Sequence, residues 1–424
     1  MKKFLAIFSI TVISFFILSI FGYAVYQISH KGKKIGFLTE VVKFMYTFPE
    51  MFEESVEEVK SLPKTFIKTN KHFEPVNKLE EDVLALSTYS DTSDSRSVVI
   101  RNLRNDSIIN KWTFKNPFDN RTRIMHPLVY QDSSLVYAFY FKHSGLKRID
   151  KNGNLMWNQD SIIVHHSMEL NGDGDIWASS KDITYWATGM YRLNDRRVFY
   201  IDYPISKIDG ETGKILFHKS ISQILKDNNL ENYVLKSPLP KDPIHLNDVQ
   251  PATKTTKYYE KDDVFISLRS LSCIIHYRPS TNKVIDIIEG PFISQHDVDF
   301  LNDSTLAIFN NNYYVRRTYE TEKPPKDSAT LVDIGNFYSN ITTYNFADQS
   351  FSTIGDSIFK KHKIFTSTEG LVSFIDPKTY FIEEQNNGLL WIIKDNEVVY
   401  KNVFKSQHKG HHHLPNWTRI INYD

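Results

Sequence analysis

The chain of 424 residues is poor in cysteine and has no excess of charge of either sign. Its single cysteine, Cys273, excludes an internal disulfide framework and any metal site built from cysteines alone. It does not identify the compartment, because chains outside the cytosol can lack disulfides. With 51 Lys and Arg residues against 50 Asp and Glu residues, the net charge is close to zero. A nucleic-acid-binding protein is not expected, because phosphate contacts need a basic surface.

What the N-terminus does contain is a long apolar run, from Phe4 to Tyr26, which follows two lysines. About twenty apolar residues are enough to cross a bilayer as a helix. A cleaved signal peptide has a shorter apolar core and a small-x-small cleavage site, whereas this run ends in Tyr-Ala-Val-Tyr. We therefore predict an uncleaved transmembrane anchor over residues 1–30, with a cleaved signal peptide as the alternative.

Charge does not fix the orientation of this anchor, because Lys31, Lys33 and Lys34 balance the two lysines before it. A short tail followed by a large body favours a body outside the cytoplasm, on the periplasmic side of the inner membrane. Residues 31–75 are predicted to form a juxtamembrane helical stalk with an acidic, solvated face.

Residues 76–424 have a different pattern, in which short apolar strands alternate with turns rich in Asp, Asn, Gly and Ser. Aromatic residues make up 14% of the chain, which is typical of a β-rich core. Six similar units can be marked, many with a turn of the Asp-x-x-Thr-Gly kind before the last strand. Such sheets bury both faces when they stack around an axis. The prediction is an all-β, six-bladed β-propeller; seven blades are the alternative, because residues 71–96 could contain another. Ile221 to Asn228 is the clearest helical signal.

Histidines with polar neighbours recur at corresponding positions of these units. They are His165-His166, His245-x-Asn247, Ser267-x-Arg269 and Gln295-His296-Asp297. Residues two apart in a strand share a face, so His245 and Asn247 are predicted to project together, as are Ser267 and Arg269. In a propeller the inner strands line the central channel, where imidazole, amide and guanidinium groups would suit an anion with a good leaving oxygen. A lone histidine is more often a plain core or surface residue, and it is the recurrence that favours a site.

These motifs, in this order, resemble the arylsulfate sulfotransferase family. Leu306 to Asn310 and Leu414 to Ile420 add further similar segments, and the resemblance covers roughly residues 90–424. It implies a six-bladed propeller that moves sulfuryl groups without the nucleotide sulfate donor. The chain departs from the family pattern in three places. Ser167 stands where an acidic residue is common, Asn310-Asn311 replaces an Asp-Asn pair, and no cysteine pair lies near the site.

The resemblance also implies a role for each matching residue. His296 matches the nucleophile, and the groups that bind and polarise the sulfuryl oxygens are His245, Asn247, Arg269 and His166. The candidate catalytic residues are therefore His296, His245, Arg269 and His166. The substrate-binding candidates are Asn247, His165 and Arg419. Arg419 is included because a last strand that closes the ring would bring it to the channel; a surface arginine is the alternative.

The chemistry of sulfuryl transfer agrees with these roles. As in phosphoryl transfer, catalysis is mainly positioning and electrostatic stabilisation. A neutral imidazole is a competent nucleophile near pH 7, because its unperturbed pKa is about 6.5. We expect His296 to attack an aryl sulfate and a phenolic acceptor to take the sulfuryl group from sulfohistidine. Arg269 would hold two oxygens, His245 or His166 would protonate the leaving phenolate, and Asp297 would orient His296.

No cofactor or metal is expected, and the expected partners are an aryl sulfate donor, a phenolic acceptor and the membrane. The oligomeric state is open, with a homodimer as one option. The competing function is a non-catalytic, membrane-tethered propeller that binds or scaffolds, since a fold does not decide function. A quinoprotein dehydrogenase is disfavoured, because its metal-binding carboxylates and tryptophan-rich repeats are not found. His408 and His411-His412-His413 are read as adventitious metal binders rather than a defined site.

Overall fold

The computed structural model describes residues 2–29, 36–37, 39–41, 65–140, 142–182, 189–193, 196–313 and 338–421. The chain divides into two compact units, Met1–Pro63 and Lys64–Asp424. Most of the predicted stalk, including residues 42–64, lies outside the described residues. Within its last part, Phe66–Lys68 forms a strand, so the folded β unit begins earlier than residue 76.

The first unit contains a single long helix among its described residues, α1 (Lys2–Ser29). Ile7–Ile28 within it is long and apolar enough to cross a membrane, and its side chains are mostly exposed. A signal sequence has the same length and composition, so the helix is a membrane anchor or a signal segment.

The second unit is built from antiparallel strands. Two short strands, β1 (Phe66–Lys68) and β2 (Val76–Asn77), precede the first sheet. The first sheet then contributes β3 (Leu84–Ser90), β4 (Ser95–Asn102) and β5 (Ile108–Lys115). The second contains β6 (Leu128–Val129), β7 (Leu135–Tyr137), β8 (Leu146–Ile149) and β9 (Leu155–Gln159).

The third sheet carries an inserted hairpin. Its strands are β10 (Ile162–Leu170), β11 (Ile176–Asp182), β14 (Pro204–Ile208) and β15 (Ile215–Ser220), with the hairpin strands β12 (Gly189–Leu193) and β13 (Arg196–Tyr200) between them. Helix α2 (Ile221–Asp227) and a 3-10 helix (Glu231–Lys236) follow. The fourth sheet contains β16 (Leu246–Pro251), β17 (Val264–Leu268), β18 (Cys273–Arg278) and β19 (Lys283–Glu289), with a 3-10 turn at Arg269–Leu271.

The last two sheets complete the unit. The fifth contains β20 (Val298–Asn302), β21 (Thr305–Asn310), β22 (Asn340–Asn345) and β23 (Phe351–Ile354), and helix α3 (Asp356–His362) follows it. The sixth contains β24 (Leu371–Asp376), β25 (Thr379–Glu384), β26 (Leu389–Lys394) and β27 (Glu397–Asn402), with a 3-10 turn at Gln385–Asn387. Three short strands end the unit, β28 (Phe404–Lys405), β29 (His411–His413) and β30 (Arg419–Ile421).

The sheet order shows how this unit closes. In each four-stranded sheet, strands consecutive in the chain pair side by side, apart from the inserted hairpin. The C-terminal β30 pairs with β3 and so adds the first strand to the first sheet, while β2 joins β27 at the edge of the sixth. The first strands of successive sheets contact one another, β10 with β16, β16 with β20, β20 with β24 and β24 with β30. These contacts place the first strand of each sheet at the centre of a β-propeller.

The described residues contain six sheets of four or five strands. Residues 71–96, which the seven-blade alternative needed, belong to the first and sixth sheets through β2, β3 and β4. The blade count itself stays a prediction, since residues 314–337, which follow β21 in the chain, lie outside the described part.

Local sequence signals agree with several of these elements. The predicted helix is α2, and the Ser220 hydroxyl caps it by accepting a hydrogen bond from the Gln223 backbone N–H at 3.0 Å. The turn of the Asp-x-x-Thr-Gly kind at Asp209 is stabilised by its own carboxylate, which accepts the Thr212 N–H at 2.7 Å. Gly213 supplies the left-handed residue, with φ of 71°.

The hydrophobic core lies between neighbouring sheets. Val249, Ile266 and Tyr277 of the fourth sheet form one fully buried cluster with Trp177 and Ile205 of the third. Burying a side chain of this size contributes about 1.5–3 kcal/mol. The stacked sheets therefore hold the ends of the inner strands in fixed positions, and the polar residues that form the candidate site lie at those ends.

Candidate active site

A left-handed backbone residue recurs at or just before the innermost strand of each of the six sheets with four or five strands. These residues, with their φ angles, are His126 (47°), His166 (65°), His245 (46°), Ser294 (54°), Glu369 (63°) and Trp417 (58°). Non-glycine residues in this region cost about 1–3 kcal/mol and persist where the surroundings enforce them, often at functional sites. Three of the six are histidines and one is a tryptophan, so the strained turns present rings from several sheets.

His296 lies just before β20 and is almost completely buried. Its Nδ1 is 2.9 Å from Oδ1 of Asn311. The amide of Asn311 is oriented by two hydrogen bonds that its Nδ2 donates, to the carbonyls of Thr366 (2.8 Å) and Glu369 (2.7 Å). Its Oδ1 is thus an acceptor, so Nδ1 of His296 carries the proton and Nε2 carries the lone pair.

The backbone N–H of Glu369 approaches the same ring, with its nitrogen 3.0 Å from Nδ1 and 3.1 Å from Nε2 of His296. A donor equidistant from both ring nitrogens cannot lie in the ring plane, where it would overlap the carbon between them. It therefore lies over the face of the imidazole. The in-plane lone pair of Nε2 is left for another partner.

Burial, together with the charge of Arg269, lowers the pKa of His296 well below its ordinary value, although the hydrogen bond to Asn311 opposes this. The imidazole is neutral at pH 7 as a result. A neutral ring with its proton fixed on Nδ1 presents Nε2 as a nucleophile.

His166 stands between the other candidate histidines. Its ring centroid is 5.3 Å from that of His296 and 5.7 Å from that of His245. Burial and the neighbouring His165 and His296 lower the pKa of His166 well below its ordinary value. His166 is thus a neutral ring beside His296.

His165 lies in the irregular part of β10, next to His166. Its Nδ1 donates to the carbonyl of Leu246 at 3.2 Å, and its ring packs on Tyr203 with centroids 4.8 Å apart. Burial and the charge of His245 lower the pKa of His165 well below its ordinary value. His165 is held in the wall of the cluster by the neighbouring sheet.

His245 is paired with a carboxylate that the sequence analysis did not identify. Its Nδ1 lies 2.5 Å from Oδ2 of Asp242. Burial acts to raise the pKa of Asp242, but the hydrogen bond and charge of His245 outweigh it and hold the pKa below its ordinary value. The carboxylate fixes the proton on Nδ1 of His245 and leaves Nε2 of His245 for a substrate.

The backbone of Arg269 is hydrogen-bonded to the backbone of His245. Its N–H donates to the carbonyl of His245 at 3.0 Å, and its Nη2 lies 3.5 Å from the carbonyl of Ser367. The prediction that these side chains project from a common strand face is wrong. Strand β17 ends at Leu268, and Arg269 opens a 3-10 turn. His245 precedes β16 and has a left-handed backbone conformation. Turns, rather than a common strand face, bring these side chains to the cluster.

Asn247 is fully buried in β16, and its Nδ2 donates to the carbonyl of Gln295, the residue before His296, at 3.1 Å. The amide therefore ties the fourth sheet to the segment that carries His296.

Several buried polar atoms of this cluster have no hydrogen-bond partner within the described protein. They are both ring nitrogens of His166, Nε of Arg269, Oδ1 of Asn247 and Nε1 of Trp417. Leaving such a group unsatisfied costs about 1–3 kcal/mol each. Trp417 packs on the cluster, with its ring centroid 5.9 Å from that of His296 and 5.7 Å from that of His166. Three of these groups are donors without partners, namely Nε of Arg269, the indole N–H of Trp417 and the single N–H of neutral His166, and such donors are suited to an anionic ligand with several oxygens.

Comparison with known proteins shows the family of this chain. The family profile described as Arylsulfotransferase (ASST) matches residues 127–405, about two thirds of the chain. The chain belongs to the arylsulfotransferase family. The matched segment includes the candidate residues from His165 to His296 and ends before Trp417 and Arg419. No curated protein matches the sequence.

Solved structures resemble this arylsulfotransferase-family chain in fold. A protein of unknown function from Bacteroides caccae has a TM-score of 0.50 at 9% identity, covering 80% of this chain and 98% of its own. The WD40 β-propeller domain of Doa1 has a TM-score of 0.38 at 8% identity, covering 80% of this chain and 87% of its own.

The family resemblance did not indicate the residues that hold the arylsulfotransferase cluster in place. Glu383 accepts the backbone N–H groups of Trp417 and Thr418, both at 2.8 Å, and so fixes the turn that presents the indole. Arg123 binds the carboxylate of Glu369 with two nitrogens, at 2.7 and 3.1 Å, beside His296. The sequence signal for Trp417 was its place in the segment Leu414 to Ile420, and Asn311 was indicated only as part of a departure from the family's Asp-Asn pair. Asp242 and Glu369 carried no signal.

The structure also shows what the side chains of Asp297 and Arg419 bind. The carboxylate of Asp297 accepts the backbone N–H of Val372 at 2.9 Å, and it is Asn311, not Asp297, that binds the ring of His296. Arg419 does lie in the strand that closes the ring. However, its nitrogens are bound to Glu169 (2.9 Å), to the carbonyl of Pro127 (2.9 Å) and to the carbonyl of Met168. These contacts give Arg419 a structural ion pair, and its predicted contact with the substrate stays a prediction.

A group of carboxyl side chains lines a cavity of about 250 Å³ together with Arg419. The carboxyl groups are those of Glu169, Asp297 and Asp299. Burial and the nearby Glu169 raise the pKa of Asp248 to about 7, and burial and neighbouring carboxylates raise the pKa of Asp297 and Asp299. Ser167, at the position where an acidic residue was expected, accepts the Val249 N–H at 3.2 Å.

The C-terminal histidines are part of β29 and its approach. Both ring nitrogens of His412 bind protein groups, Thr69 and the Asn387 carbonyl, each at 2.9 Å. His413 stacks on Tyr89 with ring centroids 4.3 Å apart. Within the described residues, no group of three or more His, Cys, Asp or Glu side chains is arranged to hold a metal ion.

Proposed function

We propose that this chain is an arylsulfate sulfotransferase that works through a sulfohistidine at His296. The donor is an aryl sulfate and the acceptor is a phenol. The observation that carries the proposal is the state of His296, which is buried, neutral and held as the Nδ1–H tautomer by Asn311. The membership of the arylsulfotransferase family supports the same chemistry. We also propose that α1 anchors the domain on the periplasmic side of the inner membrane.

In the first half-reaction, the Nε2 lone pair of His296 attacks sulfur. The N–S bond forms as the bond from sulfur to the aryl oxygen breaks, and the phenolate leaves with that electron pair. The proton remains on Nδ1, where it is hydrogen-bonded to Oδ1 of Asn311. The sulfated ring is therefore an imidazolium. Arg269 supplies a planar, permanently charged group for the sulfuryl oxygens.

The structure favours His245 over His166 as the acid that protonates the leaving phenolate. His166 has a strongly lowered pKa and no carboxylate partner among the described residues, whereas an imidazolium at His245 would be paired with Asp242. In the second half-reaction, His245 takes the proton of the acceptor phenol, whose oxygen attacks sulfur. The N–S bond then breaks and neutral His296 is restored.

Mass spectrometry after brief mixing with 4-nitrophenyl sulfate tests the proposal. We expect an acid-labile adduct of about 80 Da, the mass of SO3, on a peptide that contains His296, since covalent catalysis lets the intermediate accumulate without an acceptor. Addition of a phenol should remove the adduct and release the sulfated phenol. An adduct on another residue, or none under conditions of turnover, contradicts the proposal.

The hydrogen bond from His296 to Asn311 predicts a change in pH dependence. In the native protein the acid limb of kcat/KM should lie well below pH 6.5, because the lowered pKa keeps His296 unprotonated. Asn311→Asp places a carboxylate against Nδ1–H and stabilises the imidazolium. The pKa of His296 then rises, and the acid limb should move upward by at least about one pH unit.

The control for this prediction is Asn310→Asp, at the neighbouring position. The Asn310 amide donates to Asn340 at 3.0 Å and accepts the Ile293 N–H at 2.8 Å. We expect its acid limb to be unchanged. Asn311→Asp also removes two donated hydrogen bonds, so its free energy of unfolding is measured alongside. Equal acid limbs for the native protein and Asn311→Asp would show that the carboxamide does not control the ionisation of His296.

A further inference from the structure

The inserted hairpin β12–β13 leaves the third sheet beside the candidate site. It follows β11, whose last residue, Asp182, pairs with Ile162 at the start of β10, close to His165 and His166. Tyr203, three residues after the hairpin, packs on His165. The hairpin therefore emerges at the end of the propeller that carries the histidines.

One face of this hairpin combines apolar and basic side chains. Met190 pairs with Phe199, and Arg192 pairs with Arg197 toward the connection. Residues directly opposite in an antiparallel pair share a face, so these four side chains form one surface. Met190 is 53% exposed and Phe199 is 59% exposed, and both arginines are exposed. Neither arginine forms an ion pair with any residue in the described part of the chain.

The surface continues across a cleft onto the 3-10 helix Glu231–Lys236. Leu235, which is 50% exposed, lines this cleft together with Met190, and Lys226 adds a further cation. Glu231 is the exposed carboxylate among the described lining residues. The combined surface is thus apolar at its centre and carries more positive than negative groups.

We propose that this hairpin face docks on a lipid bilayer that contains anionic lipid. Met190 and Phe199 would enter the interfacial region, and Arg192 and Arg197 would bind lipid phosphates, as in other surface-lying amphipathic segments. A stable protein interface buries about 800 Å² on each partner, far more than one pair of apolar side chains supplies. A few side chains are sufficient if α1 anchors the domain as proposed above, because tethering raises the effective concentration.

If the proposed transferase activity is also correct, docking on the membrane indicates which class of acceptor the enzyme uses. The site would open next to the lipid surface, where amphiphilic phenols concentrate by partition. Acceptors with an apolar tail would then reach the histidine cluster from the membrane rather than from solution. This consequence depends on the proposed function, whereas the docking itself does not.

The test uses the full chain reconstituted in vesicles, with a fluorophore on a cysteine introduced as Met190→Cys. The native Cys273 is buried and does not compete for the label. Lipids with a nitroxide on the acyl chain quench a fluorophore that contacts the bilayer. We expect at least about twofold stronger quenching with anionic vesicles than with zwitterionic ones, and a loss of this difference at high salt.

The matched control is Leu155→Cys on β9, a position 60% exposed on another sheet. It should show little quenching in either vesicle. Adding Arg192→Gln and Arg197→Gln to the labelled protein should lower the docking equilibrium about thirtyfold, at about 1 kcal/mol for each arginine. Turnover of a water-soluble aryl sulfate in detergent should be unchanged, and His296→Ala should leave quenching intact.

Two outcomes would overturn the docking proposal. The first is equal quenching at positions 190 and 155. The second is self-quenching at position 190 that rises with the number of protein copies per vesicle, which would identify the face as an interface between two copies. Failure of the transferase activity alone would leave the quenching result unaffected, so the two proposals are tested separately.

Discussion

Replacing His296 with alanine should lower kcat for 4-nitrophenyl sulfate by at least about a thousandfold. The substitution removes the only protein atom that forms a bond to sulfur in the proposed mechanism. The remaining groups, Arg269, His245 and Asn247, could still bind the substrate, so KM should change much less than kcat. The measurement is the initial rate of nitrophenol release with a saturating phenolic acceptor, together with the search for the 80 Da adduct, about the mass of SO3.

The control for this experiment is His412→Ala, which also removes a nearly fully buried imidazole but lies in β29. It should lose two hydrogen bonds and some thermal stability while keeping its turnover. If both variants lose activity together, the loss reflects the folding of the propeller. If His296→Ala keeps its rate within about tenfold, another residue carries the sulfuryl group and the sulfohistidine mechanism is wrong.

The sequence predicted the outer strands of the sheets better than the inner ones. The marked units coincide with strands such as β17, β18 and β19, whose residues are largely apolar and lie between well-defined turns. Inner strands are short or polar, as with β6, which has two residues, and β16, which contains Asn247 and Asp248. A strand that buries amides and carboxylates around a channel has no apolar alternation to detect, so periodicity cannot find it.

The roles of the candidate site residues stay predictions, but the structure does show how these residues are positioned. The motifs indicated His296, His245 and Arg269, and the structure brings their segments together. The reason given, a shared strand face, was wrong, because left-handed turns at His245 and Glu369 aim the side chains. A single residue with positive φ changes the direction in which a side chain projects. Except where the residue is glycine or asparagine, the surrounding sequence does not predict a positive φ.

Partners that come from distant parts of the chain were also beyond the sequence. Asn311 reaches His296 from the end of β21, and its own orientation depends on carbonyls near residue 366. Family motifs indicated Asn311 only as part of a departure from the usual pair. Its function, fixing a tautomer, follows from the direction of three hydrogen bonds and therefore requires coordinates.

Trp417→Phe should lower kcat/KM for aryl sulfates by about tenfold to a hundredfold. The indole is fully buried and its N–H has no acceptor among the described residues, yet the ring packs against both His296 and His166. Glu383 holds the strained turn at Trp417 through two backbone hydrogen bonds, so the ring cannot easily rotate away. We expect the indole N–H to donate to a sulfuryl oxygen during transfer, which would satisfy the buried donor. Phenylalanine keeps the aromatic packing and lacks this donor.

The matched control is Trp177→Phe, because Trp177 is equally buried and its indole N–H also lacks an acceptor among the described residues. It packs in the core cluster of the third and fourth sheets, none of whose members is assigned to the mechanism. Both substitutions remove the same atoms and should cost similar stability, which thermal unfolding measures. Only Trp417→Phe should lose catalytic efficiency, and it should also weaken inhibition by a non-transferable aryl sulfonate. Equal losses in the two variants would attribute the effect to packing, and a rate within about twofold of the native value would show that the indole donates nothing to the sulfuryl group.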